Sequence, residues 1–253
     1  MLTLDQILVQ DGTQHQVPVL MDTAYHPDFG AKVAFTFERM PNDPEAQVRQ
    51  AMAKAICLIR EDAQSEMIRA DAARAAQCPD PISGVWNIIK PHMKFKQDAD
   101  IATDLHLDEA TKKDWNVGDD TVEVFIRPLD QSLLIALRGM GVEDCDGFTM
   151  YGACILTAMG IPCALVTVAA DGSRPREFSH VYVAAYPNGI GTKPRIPLDF
   201  SHGERPGWEC PHHRIREWPV PEGTLEKATN LMTPVVVAGA LYGLVKWFNR
   251  RAA

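Results

Sequence analysis

The chain has 253 residues and a formal net charge of −8, with 46% hydrophobic and 23% charged residues, ordinary values for a soluble globular protein of one or two domains. The acidic balance, with no basic run of five or more, excludes a general nucleic-acid binder. No basic and apolar leader opens the chain, so no signal peptide is expected; six cysteines without framework spacing read as reduced thiols of a cytoplasmic protein.

Residues 1–44 read as a β-rich N-terminal arm, with a strand at 33–37 and turns at Asp11-Gly12 and His26-Pro27. His15 and His26 are expected to face solvent. Asp43-Pro44-Glu45 then opens one long helix running to about Gln77, because Pro44 suits the first helical position and Ala51, Ala55, Ile56, Leu58 and Ile59 form an apolar stripe. Cys78-Pro79-Asp80-Pro81 ends it. A shorter element at 84–90 precedes polar sequence through Asp120. There His92, Lys94, Lys96, Asp98, Asp100, Asp104 and His106 repeat no known ligand spacing, and the run reads as a solvated surface loop. Residues 121–126 alternate like a half-buried strand, and Arg127-Pro128-Leu129-Asp130 turns the chain into a short helix.

The stretch 141–162 organises the rest. Asp144 is suited to cap a helix of about four turns, and Gly160 followed by Pro162 is suited to end it. Cys145 therefore falls in the first turn, where orphan backbone N–H groups and the helix dipole favour a thiolate. It is either a nucleophile or a free core thiol. Glu143, Asp144 and Asp146 crowd it and oppose ionisation, so a reactive Cys145 needs a nearby cation.

Residues 163–170 read as a buried strand, 171–175 as a turn and 178–186 as the next strand. A hairpin turn at 187–191 returns the chain as a partner strand over 193–200. A four-residue loop sets His180 opposite Asp199; a two-residue Asn188-Gly189 loop sets it opposite Pro197, with Asp199 its diagonal neighbour. Both registers put imidazole and carboxylate on one face, within roughly 5–8 Å at Cβ. Such an aspartate can hold the histidine in one tautomer and stabilise its charged form, the cation that Cys145 needs. A depressed Cys145 pKa is the expectation.

Glu143-Asp144-Cys145-Asp146-Gly147-Phe148, Gly160-Ile161-Pro162-Cys163, Phe178-Ser179-His180-Val181-Tyr182 and Pro197-Leu198-Asp199 resemble the microbial transglutaminase-like superfamily, over about residues 84–209. The resemblance implies a papain-like cysteine-enzyme fold and a catalytic triad of Cys145, His180 and Asp199, and the overall pattern is similar to versions carried by tailed bacteriophages. That would place the protein in the host cytoplasm or in the virion. Many relatives follow the aspartate with Pro-Thr, whereas this chain has Phe200-Ser201-His202-Gly203. No EF-hand or acidic calcium loop is recognisable, and no metal or cofactor is expected. The Cys145 backbone N–H would form half of an oxyanion hole, with Gln131 the candidate second donor. Cys210, His212 and His213, near His202, lack the paired spacings of a zinc site, so 208–213 reads as a surface loop capping the site with Trp208 on the sheet.

The expected fold is α+β, helices packed on one side of a small antiparallel sheet, with Cys145 at the helix–sheet junction. Three parts are expected: the arm (1–44), a transglutaminase-like domain (45–220) and an apolar C-terminal helix (221–253). One functional reading is a thiol enzyme that cleaves or transfers an acyl group from an amide or peptide substrate through an acyl-enzyme. The other is a non-catalytic structural or assembly protein, such as a phage virion component, that keeps the fold. Residues 231–248, with the small-xxx-small spacing Gly239 to Gly243, read as a self-association or partner surface, a membrane contact or a docked helix.

Overall fold

A computed structural model describes residues 19–27, 30–115 and 122–221. The turn at Asp11-Gly12, His15 and the apolar segment 231–253 lie outside the described residues. The chain divides into two compact units, 1–221 and 222–253. Among the described residues no helix is long and apolar enough to cross a membrane.

The first unit is α+β. In chain order it runs β1 (Val19–His26), β2 (Ala31–Arg39), α1 (Pro44–Asp62), α2 (Glu66–Ala76), α3 (Pro81–Ile89), β3 (Met93–Phe95), α4 (Asp98–Asp104) and α5 (Glu109–Trp115). It continues through β4 (Val122–Phe125), α6 (Pro128–Arg138), β5 (Gly141–Glu143), α7 (Cys145–Ala158), β6 (Cys163–Val168), β7 (His180–Ala185), β8 (Ile196–Leu198) and β9 (Ile215–Pro219). The main sheet has the order β8-β7-β6-β9 and is antiparallel throughout.

The expectation of a single small antiparallel sheet is corrected. A second antiparallel sheet, β1-β2-β4, and a short parallel pair, β3 with β5, accompany the first. Pairing of β2 with β4 ties the N-terminal hairpin to the middle of the chain, and His26, expected in solvent, is fully buried. The polar run before Asp120 is not a loop either. It holds β3, α4 and α5, because Ile101, Ala102 and Leu105 have enough apolar surface to join Phe35, Phe37, Val124, Ile126, Leu134 and Val142 in a core of their own.

The long early helix is two helices. Ser65 breaks it by capping α2, accepting the Ile68 N–H at 3.3 Å. Asp80 likewise caps α3 with Pro81 behind it, so the Cys78–Pro81 segment starts a helix as well as ending one.

Helix α7 is the spine. Residues 146–156 are all buried, with α1, α2, α3 and α6 packed around it and β6 and β7 against another side. Its start and stop are those the sequence implies. Asp144 Oδ1 accepts the Asp146 N–H at 2.8 Å. At the other end Gly160 has φ 71°, and the Gly160 and Ile161 N–H groups bond to the carbonyls of Thr157 and Leu156, each at 3.0 Å. That is a Schellman ending, which needs the left-handed residue glycine supplies. Tyr151 and Ser132 both donate to Asp71 Oδ2 at 2.6 Å, which locks α7 to α6 and α2 through a buried carboxylate.

Candidate active site

Cys145 is the first residue of α7 and sits where that helix meets β7. Strand β8 is three residues long and pairs only with Val183, Ala184 and Ala185. Beyond its end, the backbone of Val181 meets α7 instead. Its carbonyl accepts the Thr149 hydroxyl at 3.1 Å, and its N–H lies against the Cys145 thiol. Thr149 also donates to the Cys145 carbonyl at 2.7 Å, so one side chain fixes the helix start to the strand. His180 is the neighbour of Val181 on that strand.

His180 and Asp199 meet, Nε2 to Oδ2 at 2.8 Å, both buried. The register that brings this about is neither of the two expected. Ala184 faces Pro197, so the same register carried along the strand sets His180 opposite Ser201, two positions beyond Asp199. All three alternatives differ by even steps, and a strand repeats its faces every two residues. The shared face therefore survived a wrong register. The connection is also longer than a tight hairpin, running from Tyr186 to Arg195 and including a cis Lys193-Pro194 bond.

Asp199 is fully buried and fully engaged. Its Oδ1 accepts the Ser201 hydroxyl at 3.1 Å and the His202 N–H at 2.9 Å. Burial pushes the Asp199 carboxyl up, but the bonds from His180, His202 and Ser201 outweigh it and hold its pKa below the ordinary value. Because a carboxylate only accepts, His180 Nε2 carries a proton and its Nδ1 is the basic nitrogen of the neutral ring. By the same logic Ser201, donating to Asp199, accepts from His202 Nδ1 at 3.0 Å. The His202 ring stands edge-on to His180 at 4.7 Å. Burial and the neighbouring His180 lower its pKa.

The expected depressed Cys145 pKa is corrected. Part of the residue is exposed, yet protein atoms crowd its thiol. Burial pushes the pKa well up, and the carboxylates of Asp144, Glu123 and Asp98 push the same way; the Val181 N–H pulls it back without reversing the result. The helix terminus does not compensate for this desolvation and like charge. Glu123 shows the same crowding: it lies directly across from Glu38 in the β2–β4 pair, and burial, Asp144 and Glu38 raise it to about 8. Between an unfolded carboxyl value of about 4.3 and that folded value, the folded state holds a proton the unfolded chain lacks. Stability contributed by Glu123 is thus full at low pH and lost as pH rises. Glu123→Gln is expected to raise the melting temperature, by a margin that grows from pH 5 to pH 8 in EDTA-containing buffer. A margin independent of pH would remove Glu123 as the titrating group.

Two expectations around the site change. Gln131 is fully buried and its amide donates to the Val142 carbonyl at 2.9 Å, which braces β5 rather than offering an oxyanion donor. His202, expected only as part of a departure from the family pattern and as a neighbour of the Cys210–His213 loop, is in the site. Only the three-dimensional turn after Asp199 could show this, because no spacing rule links a histidine to an aspartate three residues earlier. In the loop after it the Cys210 thiol bonds to the Pro211 carbonyl and His212 Nδ1 to the Cys210 carbonyl, and among the described residues they form no cluster with metal-ligand geometry. Two sets do come within 4.8 Å at their donor atoms, His180/Asp199/His202 and Asp98/Asp144/Asp146. In the first, the Asp199 oxygens and the His202 Nδ1 are already occupied by hydrogen bonds. Comparison with family models, curated proteins and solved structures finds no match to this chain.

Proposed function

We propose that the protein is a transglutaminase-like thiol enzyme in which Cys145 attacks an amide or peptide carbonyl, His180 moves the proton and Asp199 orients His180. The observation that carries the reading is the buried 2.8 Å His180–Asp199 bond beside the strand residue that meets the Cys145 thiol. The Asp199 contact spends Nε2 and leaves Nδ1 as base. With its pKa raised, the resting thiol is neutral, so the proton passes to His180 as the S–C bond forms rather than beforehand. His180 then gives that proton to the departing amine as the C–N bond breaks, leaving a thioester. Water or a second amine takes the acyl group by the reverse steps, regenerating the thiol. The backbone N–H of Cys145, at the first position of α7, would steady the oxyanion.

The test is labelling of the intact protein with iodoacetamide at neutral pH, with all six cysteines followed by peptide mass spectrometry. Cys145 is expected to react well ahead of Cys154 and Cys163, which are buried with thiol pKa values pushed up. Reaction of Cys145 no faster than those two would instead favour the structural or assembly role. Its raised pKa is the observation on that side. We further propose that 231–248 is an association surface. Its removal is expected to leave the Cys145 unit folded and to change oligomeric state or attachment, measured by sedimentation and liposome flotation of full-length and truncated chains.

A further inference from the structure

The acidic groups before and after Cys145 form a second feature beside the thiol. One oxygen each of Asp98, Asp144 and Asp146 lie within 4.8 Å of one another. Acidic side chains often gather without a ligand, so the surroundings decide. Asp146 is 4% exposed, and both its carboxylate oxygens are shut from solvent and accept from no N–H group and no hydroxyl among the described residues. Asp98 Oδ1 and Glu143 Oε2 are in the same condition. Among the described residues no lysine or arginine is ion-paired to Asp98, Asp144 or Asp146.

The other oxygens are held in place. Strand β4 is the edge of its sheet, and one of its outward backbone donors and the donor just past its end are taken by carboxylates. Val124 N–H goes to Asp98 Oδ2 at 2.8 Å and Ile126 N–H to Glu143 Oε1 at 2.9 Å. Asp144 Oδ1 is held by Asp146 N–H at 2.8 Å. Asp98 and Glu143 are therefore each oriented by one backbone bond, with a second oxygen left unpartnered inside the protein. Oriented ligands with one free oxygen are what a metal site requires of its supporting groups, and buried charge without a counter-charge is costly.

We propose that Asp98, Asp144 and Asp146 bind one hard divalent cation of the calcium type, joining the start of α4 to the start of α7. All-carboxylate ligation excludes soft, thiolate-preferring metals. Calcium fits better than magnesium, because carboxylates already fixed by backbone bonds suit its flexible shell of oxygens, whereas magnesium demands a near-ideal octahedron. The alternative occupant is a proton shared between Asp144 and Asp146, whose carboxylates are close enough for a hydrogen bond.

Chelator-treated full-length protein should show a saturable rise in melting temperature of several degrees with millimolar CaCl2, a smaller one with MgCl2, and one calcium per chain by calorimetric titration. Asp146→Asn and, separately, Asp98→Asn should each weaken calcium binding at least about tenfold. Both remove like-charge repulsion, so the metal-free variants should fold with unchanged or higher melting temperature. If Asp146→Asn fails to fold, Asp98→Asn on the other element decides. Cys145→Ala should keep the full calcium shift, which separates this site from the thiol reading. The site would be overturned by no response to Ca2+, Mg2+ or Mn2+ at neutral pH, the result for a shared proton. It would equally be overturned by a calcium shift that survives in both aspartate variants.

Discussion

His180→Ala is expected to slow alkylation of Cys145 at pH 7 by an order of magnitude or more, a conservative bound on general-base effects, which run to about 10²–10⁴-fold. The size follows from the correction at Cys145. Burial, with the acidic groups around it, keeps its thiol protonated, so under the proposed mechanism little reaction proceeds through a thiolate formed in advance. Removing the base then removes most of the route. Asp199→Asn should be milder on alkylation, since the imidazole stays, but should damage turnover. An amide can donate to Nε2, turning the ring so that Nδ1 carries the proton and can no longer accept one. Alkylation rates for wild type and both variants across pH 6–9 check this. An unchanged rate in His180→Ala would remove His180 from the site.

Gly152→Ala should destabilise the protein by about 2 kcal/mol despite improving helix propensity. Alanine in mid-helix gains roughly 1 kcal/mol over glycine. Against that, a Cβ at 152 would collide with the Phe200 ring, which is 1% exposed, and because a buried ring has little room to yield the cost is at the upper end of the roughly 1–3 kcal/mol of overpacking, about 3 kcal/mol. Phe200 directly follows Asp199, so relief of the clash displaces the site as well as the core. For a unit of this size the loss corresponds to a fall in melting temperature of roughly 4–8 °C, with slower Cys145 alkylation beside it. A stable Gly152→Ala protein with normal alkylation would show that Phe200 can move without carrying Asp199. Gly147→Ala is the companion, since its Cβ would fall on the Glu143 side chain. It should disturb the acidic cluster first.

The sequence alone determined what is local. Asp144 as cap, Gly160 as stop and Cys145 in the first turn of α7 are set within a few residues, because capping and left-handed endings involve only neighbouring backbone. His180 and Asp199 on one face was legible for a different reason: strand periodicity makes the shared face survive any even error in register, and the register was in error. The α+β class followed from the order of helical and strand patterns. What needed the tertiary structure were quantities summed over distant segments. The sheet joining β2 to β4, the folding of the polar run around Ile101 and Leu105, and the burial of His26 depend on partners far away in sequence. The Cys145 pKa belongs here too. Its neighbours Asp144 and Asp146 were visible, but Asp98 and Glu123 come from other elements, and desolvation is a property of the packed whole. For the same reason Asp98 read as a solvated loop residue in the sequence. Only the fold, by giving it the Val124 N–H and setting it beside Asp144 and Asp146, makes it part of a site.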